Sequence, residues 1–300
     1  MVSRGALPLI AAALLASAAA SSAAPPISPS TTVEGVTVEA PKPEPEKLAE
    51  KVNRFVMGHS VPGRTDHISR WAKPVCPQTF GLAPEMNTFV SARVRAVAAS
   101  VGAPDQRPGA ACETNVLIIF STDPQGLMDD VRNHHSRMLG FHYFAQAKRL
   151  ATVSRPIQAW YMTGTEGKHQ EPELDDEFLP MPGGAAGSRL SDGLTSRFVA
   201  VLVVIDSGKV ADHEIGAVAD DAAMLTLMHV PPAKGCSELP TILDLLNPTC
   251  PASDDPPGLT PYDLGFLKGL YSTEPTDFLS AQRSEIGSRI LREMSGSATH

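Results

Sequence analysis

The stretch "RFVAVLVVID", Arg197 to Asp206, constrains this chain more than any other. A continuous apolar run rich in β-branched residues fits a strand buried on both faces. Such a strand needs a layer of helices above and below its sheet. The next stretch, "VADHEIGAVADDAAML" from Val210 to Leu225, reads as a short loop opening into a helix from about Ile215 to Met228.

The rest of the chain supplies the partners. "PEPEKLAEKVNRFVMG" has Glu early, Lys and Arg later and Gly58 as a stop, the pattern of a helix. "GHSVPGRTDHISRWAKPVCP" is irregular and is expected to end in a short strand near Trp71–Val75. "PEMNTFVSARVRAVAASVG" places Met86, Phe89, Val90, Val94, Val97 and Val101 on one helical stripe. "NVLIIFS" repeats the buried-strand signature. "TDPQGLMDDVRNHHSRMLG" is a helix with Asp123 as N-cap and Gly140 as stop. "FHYFAQAKRLA" reads as a short helix and "PIQAWYMTGT" as a strand. Residues 164–194, with the acidic "EPELDDEF", read as one long surface excursion. Near the end come "TILDLLN", a helix after Thr260 and a last helix "LSAQRSEIGSRILREM". The expected fold class is α+β, a mixed sheet with packed helices and no internal repeat.

Residues 1–24 carry Arg4, an apolar stretch from Ala6 to about Ala20, and small residues beyond, the layout of a cleavable secretory signal. Cleavage is expected between Ala18 and Ala24. A membrane anchor is the weaker reading, because the Ala-rich run falls short of the roughly 20 strongly apolar residues a span needs. No Cys follows the small residues, which closes the lipoprotein route, and no later stretch could span a bilayer. Residues 25–44 are rich in Pro, Ser and Thr and read as a disordered tether. A single domain is expected over 45–295, with a disordered tail at 296–300. These features place the protein in the periplasm or outside the cell.

The formal charge is −8, and loss of Arg4 with the signal makes it −9. An acidic chain without a basic stripe repels phosphate backbones, so nucleic acid is not an expected partner. Cys76, Cys112, Cys236 and Cys250 allow three disulfide pairings in an oxidising compartment. Proximity in sequence favours Cys76–Cys112 and Cys236–Cys250, and the absence of C-x-x-C disfavours a four-Cys zinc site.

Chemistry-bearing motifs are few. A zinc peptidase helix reads H-E-x-x-H, so that two imidazoles share one face and the Glu polarises water. Here His213-Glu214 is followed by Ala217 where the second His belongs. Asp212 could cap this helix, and Glu214 suits its positive end. Asp220 and Asp221 lie mid-helix; one is expected exposed and the other hydrogen-bonded, with a paired-carboxylate site as the rival. His134, His135 and His142 gather near a helix end, a weak metal signal. No G-x-S-x-G elbow or S-x-x-K pair stands in frame. "TGTEGK" and "MPGGAAGS" lack the spacing of phosphate loops. Trp71 and Trp160 could line a groove, and core positions are the commoner use.

The C-terminal third resembles the matrixin-type zincin layout: buried strand, active-site helix, a loop carrying a third His, a short Met-turn and a closing helix. "PTILDLLN" stands at the Met-turn position. "LTPYDLGFLKGLY" is similar to the closing matrixin helix L-S-x-x-D-I-x-x-I-x-x-L-Y, with Thr260, Asp263, Leu267, Leu270 and Tyr271 matching. The longer chain resembles exported alphaproteobacterial proteins, some with zincin-like domains of unknown function. Their "VTVEAPK"-like start, "R-W-x-x-P-V-C-P" and "C-x-x-N-V-L-I-x-F" segments are matched here, the latter two at Arg70–Pro77 and Cys112–Phe120. The matrixin likeness covers only about residues 196–272, and the chain departs from it at every metal ligand. Aligned on its apolar face, the helix puts Ala219, Asp220 and Ala223 at the motif positions. The following loop offers no third His, only His229 ahead of it.

The resemblance therefore implies a pseudoenzyme, with no zinc and no cofactor. The expected role is an exported, non-catalytic binding or scaffold protein of the envelope, taking a peptide or an envelope protein in the old cleft or on a sheet edge. The alternative is a metal- or carboxylate-dependent hydrolase built from His213, Glu214 and Asp220 with His229. A third reading is a structural component docking through the acidic 171–177 loop.

Overall fold

A computed structural model describes residues 45–107, 109–167, 173–175, 193–231, 235–251 and 255–296. The expected signal, the tether and residues 297–300 of the tail lie outside the described residues, as does most of the 171–177 loop.

Five strands form one mixed sheet: β1 (Pro77–Phe80), β2 (Val116–Ser121), β3 (Ile157–Gly167), β4 (Glu173–Leu174) and β5 (Leu194–Asp206), in the order β1-β2-β5-β3-β4. β1 and β2 are parallel, and β2 runs parallel to β5 with Val116 opposite Val201. β3 is antiparallel to β5, Ile157 opposite Ile205, with a register shift between Met162 and Thr163. The apolar run of β5 is thus central, flanked on both sides, which is why its alternate residues face two cores. Val201, Val203 and Ile205 join the larger one, and Leu202 and Val204 the smaller.

The helices form the covering layers. α1 (Pro45–His59), α2 (Pro84–Ser100), α5 (Ile215–Leu227), α6 (Pro261–Ser272) and α7 (Leu279–Gly296) contribute to the larger core through residues such as Val52, Val94, Ala222, Phe266 and Ile286. α3 (Pro124–His134), a 3-10 turn at Ser136–Leu139 and α4 (Ala147–Leu150) cover the other face with Met128, Leu139 and Ala147. The fold is α+β, with helices on both faces of a mixed sheet. Asp123 caps α3 by accepting from Gly126 N at 3.0 Å, but α3 stops at His134, short of the expected end, and Gly140 at φ +82° ends the 3-10 turn that follows. Thr260 caps α6 in a capping box with Asp263.

Three expectations need correcting. The first strand forms at Pro77–Phe80 rather than near Trp71–Val75. Pro74 can donate no ladder bond, and Trp71 instead packs as a loop residue, its indole Nε1 donating to Thr226 O at 2.9 Å. Phe89, placed on the buried stripe of α2, is exposed, and Ala98 is buried. The excursion at 164–194 is narrower than expected, because β3 runs on to Gly167 and β5 begins at Leu194.

Both disulfides join the pairs nearest in sequence, Cys76–Cys112 and Cys236–Cys250, with Cα–Cα distances of 5.7 and 5.4 Å. Among the described residues no helix is long and apolar enough to cross a membrane. These observations are compatible with a periplasmic or extracellular protein. The Cys236–Cys250 bridge closes a loop of 14 residues beside the turn before α6. A Cys236→Ser, Cys250→Ser variant is expected to lose about 3 kcal/mol of stability through loop entropy alone. Urea denaturation checks it, and a loss below about 1 kcal/mol would mean the loop stays ordered without the bond.

Candidate functional site

The residues singled out around the H-E pair do not come together. His213 precedes α5, bonded through its backbone N to Val210 O at 3.0 Å, and its Nε2 lies 3.7 Å from Asp255 Oδ2. Glu214 itself occupies the N-cap position, with no side-chain capping bond, and Asp212 is an exposed loop residue. His229 lies beyond the far end of α5. A helix of 13 residues is about 20 Å long, so the two histidines are separated by its length. Among the described residues no three His, Cys, Asp or Glu side chains group closely enough to hold a metal ion.

Asp220 and Asp221 are both buried, against the expectation that one would be exposed. α5 is covered all along from Ala217 to Leu227, so adjacent positions on it are equally enclosed. Asp220 takes a bidentate pair from Arg93 of α2 at 2.6 and 2.9 Å and accepts from Leu259 N at 3.2 Å. Gly258 passes so near that a Cβ there would meet Asp220 Oδ2 at 2.8 Å. Asp220 therefore holds the loop before α6 onto α2. Asp221 has no such partner. Burial pushes its carboxyl up to about 8, against the pull of Arg155 and with a further push from Asp263 and Asp244. It is a neutral acid at neutral pH.

The other sequence candidates serve locally. His134 Nδ1 pairs with Asp130 at 2.8 Å, one turn back on α3, and His142 Nδ1 contacts Gly140 O at 2.6 Å. They share no site with His135. Trp160 is buried and donates from Nε1 to Leu150 O at 2.7 Å.

A cavity of about 430 Å³ lies instead along the outer side of β3, and Trp160, Tyr161, Thr163 and Arg155 line it. Its size falls in the range of small-ligand pockets. β4 pairs with Gly164 and Thr165, and Asp175 N just beyond it donates to Thr163 O at 2.9 Å, so the stretch from Ile157 to Met162 has no strand on its outer side among the described residues. Gly140 abuts the Tyr161 carbonyl so closely that no Cβ would fit, which leaves Ile157–Trp160 as the open length. One wall comes from the end of α5, with Leu225, His229 and Val230; the opposite wall comes from Leu139, Phe141 and Leu150.

The polar groups of this cavity are distributed along it. Asp175 sits at the β4 end and accepts from the hydroxyls of Thr163 and Thr165 at 2.6 and 2.8 Å. Arg155 sits at the start of β3, held by Nη2 donating to Leu243 O at 2.6 Å. Between them, the rings of Tyr161 and His229 lie 4.3 Å apart, and Val230 N donates to Tyr161 Oη at 3.3 Å. Burial raises the Tyr161 phenol and lowers His229 to about 4, so both are neutral at pH 7. His229 Nδ1 is buried without a hydrogen-bond partner. Arg64 stacks on Phe141, its guanidinium carbon 4.8 Å from the ring centroid.

Sequence reasoning named Trp160 and His229, and Asp175 only as part of the acidic 171–177 loop, but missed Arg155 and Tyr161. No spacing rule joins them, because the sheet brings them together from separate segments. The one available signal was the strand "PIQAWYMTGT", whose mixed polar and aromatic pattern suits an edge beside a cleft. Compared with known proteins, the chain gives no match: no family model, no curated protein and no solved structure is similar to it.

Proposed function

We propose that this chain is an exported, non-catalytic binding protein on a zincin-like scaffold without the metal motif, and that it holds an extended peptide along β3. One observation carries the reading. An amphipathic cavity lies beside an open length of strand, Ile157–Trp160, where a peptide can add main-chain hydrogen bonds and place side chains in pockets. The order β5, α5, the 3-10 turn at Ile242–Asp244 and α6 agrees with what the matrixin resemblance implies. The separation of His213 from His229 and the structural use of Asp220 favour binding over hydrolysis. The disulfides favour the periplasm or the exterior as the place of action.

The test is a binding assay with random hexapeptide pools on the exported chain, with mass spectrometry of the peptides afterwards. Peptides are expected to be retained intact with micromolar affinity. Ala159→Phe, which fills the cavity from β3, is expected to weaken retention at least about tenfold without changing the circular dichroism. Unchanged retention by that variant would sink the proposed location. Cleaved peptides would overturn the non-catalytic reading in favour of the metal- or carboxylate-dependent hydrolase.

A further inference from the structure

The open length of β3 has a chemical polarity that selects one end of a peptide. Arg155 stands just before Ile157, where β3 begins. Its Nη2 is fixed on Leu243 O, and no carboxylate forms a salt bridge with it among the described residues. Arg155 is also one of the residues lining the cavity, so the remaining donors of its fork are held close to it. At the other end of the cavity stands the carboxylate of Asp175, held by two threonine hydroxyls. A cation thus marks the start of the open strand and an anion marks its far side.

Resting on the peptide reading above, we propose that the site recognises the free C-terminal carboxylate of its ligand, bound to Arg155, with the peptide antiparallel to β3. In that direction the peptide's end falls at the beginning of β3, beside Arg155. In the parallel direction an amino terminus would meet the guanidinium and like charges would face each other. β4 already runs antiparallel to β3 beyond the Gly140 contact, pairing Glu173 with Thr165 and Leu174 with Gly164, so a strand added in that direction matches the sense of pairing on this edge. The carboxylate of Asp175 then faces the incoming, amino-terminal side of the peptide.

The surroundings support an anion at this point. Asp221, a buried acid within electrostatic reach of Arg155, is neutral at pH 7 because burial raises it to about 8. Asp221 accordingly does not neutralise the Arg155 charge, and no carboxylate pairs with it directly among the described residues. A guanidinium meets a carboxylate through two parallel N–H···O bonds, and such bonds are among the strongest available to a protein. The last side chain of the peptide would enter between Leu150, Ile157 and Leu225, so an apolar C-terminal residue fits best.

The experiment uses the full exported chain and two random hexapeptide pools of the same composition, one ending in a free acid and one in an amide. Free acids are expected to bind at least about tenfold more tightly, the usual worth of a charge-assisted hydrogen bond. Arg155→Met is expected to abolish that preference while amide binding persists. Arg155→Lys, which keeps a point charge, should preserve part of it, and serves if the Met variant does not fold. Equal affinity for acids and amides in the parent protein would overturn the proposal and leave peptide binding intact. Failure of both pools would overturn the peptide reading itself, and with it this one.

Discussion

Asp263→Ala lowers the unfolding free energy by about 4 kcal/mol or more. The carboxylate is fully buried at the start of α6 and ties three pieces of chain together. Oδ1 accepts from the Thr241 hydroxyl at 2.5 Å. Oδ2 accepts from Ile242 N at 2.9 Å, from Thr260 N at 2.8 Å and from the Thr260 hydroxyl at 2.9 Å. Burial pushes this carboxyl up, and these four bonds pull it back. Alanine would leave two buried backbone N–H groups and the Thr241 hydroxyl without their acceptor, while the Thr260 hydroxyl keeps Pro240 O at 2.9 Å; each orphaned group costs about 1–3 kcal/mol. Asp263→Asn keeps one accepting oxygen and should lose less. Urea denaturation of the three proteins checks the ranking. A loss under about 1 kcal/mol for the Ala variant would mean that water takes the place of the carboxylate and satisfies the groups it held.

Thr260 and Asp263 are also where the sequence was most informative. A capping box is local, four residues long, and its chemistry is visible in "TPYD". The same holds for Asp123 ahead of α3 and for the continuous apolar run of β5. Both disulfides follow from closeness in sequence, because short loops are cheap to close. Long-range pairing is different. Arg93 and Asp220 are 127 residues apart, and nothing in either segment announces that they meet. The sequence placed Asp220 and Asp221 on one helix and could not tell that other elements enclose both sides of it. β1 was missed because "PQTF" is short, half polar and opened by Pro, so no period stands out. The cavity was invisible for a related reason. Arg155 lies in a loop before one strand, Asp175 beyond the end of the same strand, and His229 past a helix. Only the antiparallel placement of β3 beside β5 brings their segments to one edge.

The second large effect concerns Asp221 and depends on pH. Burial raises its carboxyl from the ordinary 3.8 to about 8 in the folded protein, while the unfolded chain keeps the ordinary value. Between those two values the folded state holds a proton that the unfolded state has released, so stability must fall as pH rises. The loss is about 1.4 kcal/mol per pH unit and ceases above about pH 8, where both states are ionised. By pH 7 roughly three pH units have been crossed, which amounts to about 4 kcal/mol. Asp221→Asn, which cannot ionise, should therefore match the parent protein near pH 4 and exceed it by a few kcal/mol at pH 7 to 8. His229 acts on the acid side: its folded value of about 4 is below its ordinary 6.5, so the stability it contributes is lost as pH falls through that interval. That contribution is common to both proteins and cancels in the difference between them. Denaturation midpoints measured every half pH unit from 4 to 8.5 give the difference curve. Divergence toward high pH locates the neutral acid at position 221. Parallel curves would mean that Asp221 ionises normally, leaving a fixed negative charge close to Arg155 and removing the support it lends to carboxylate recognition there.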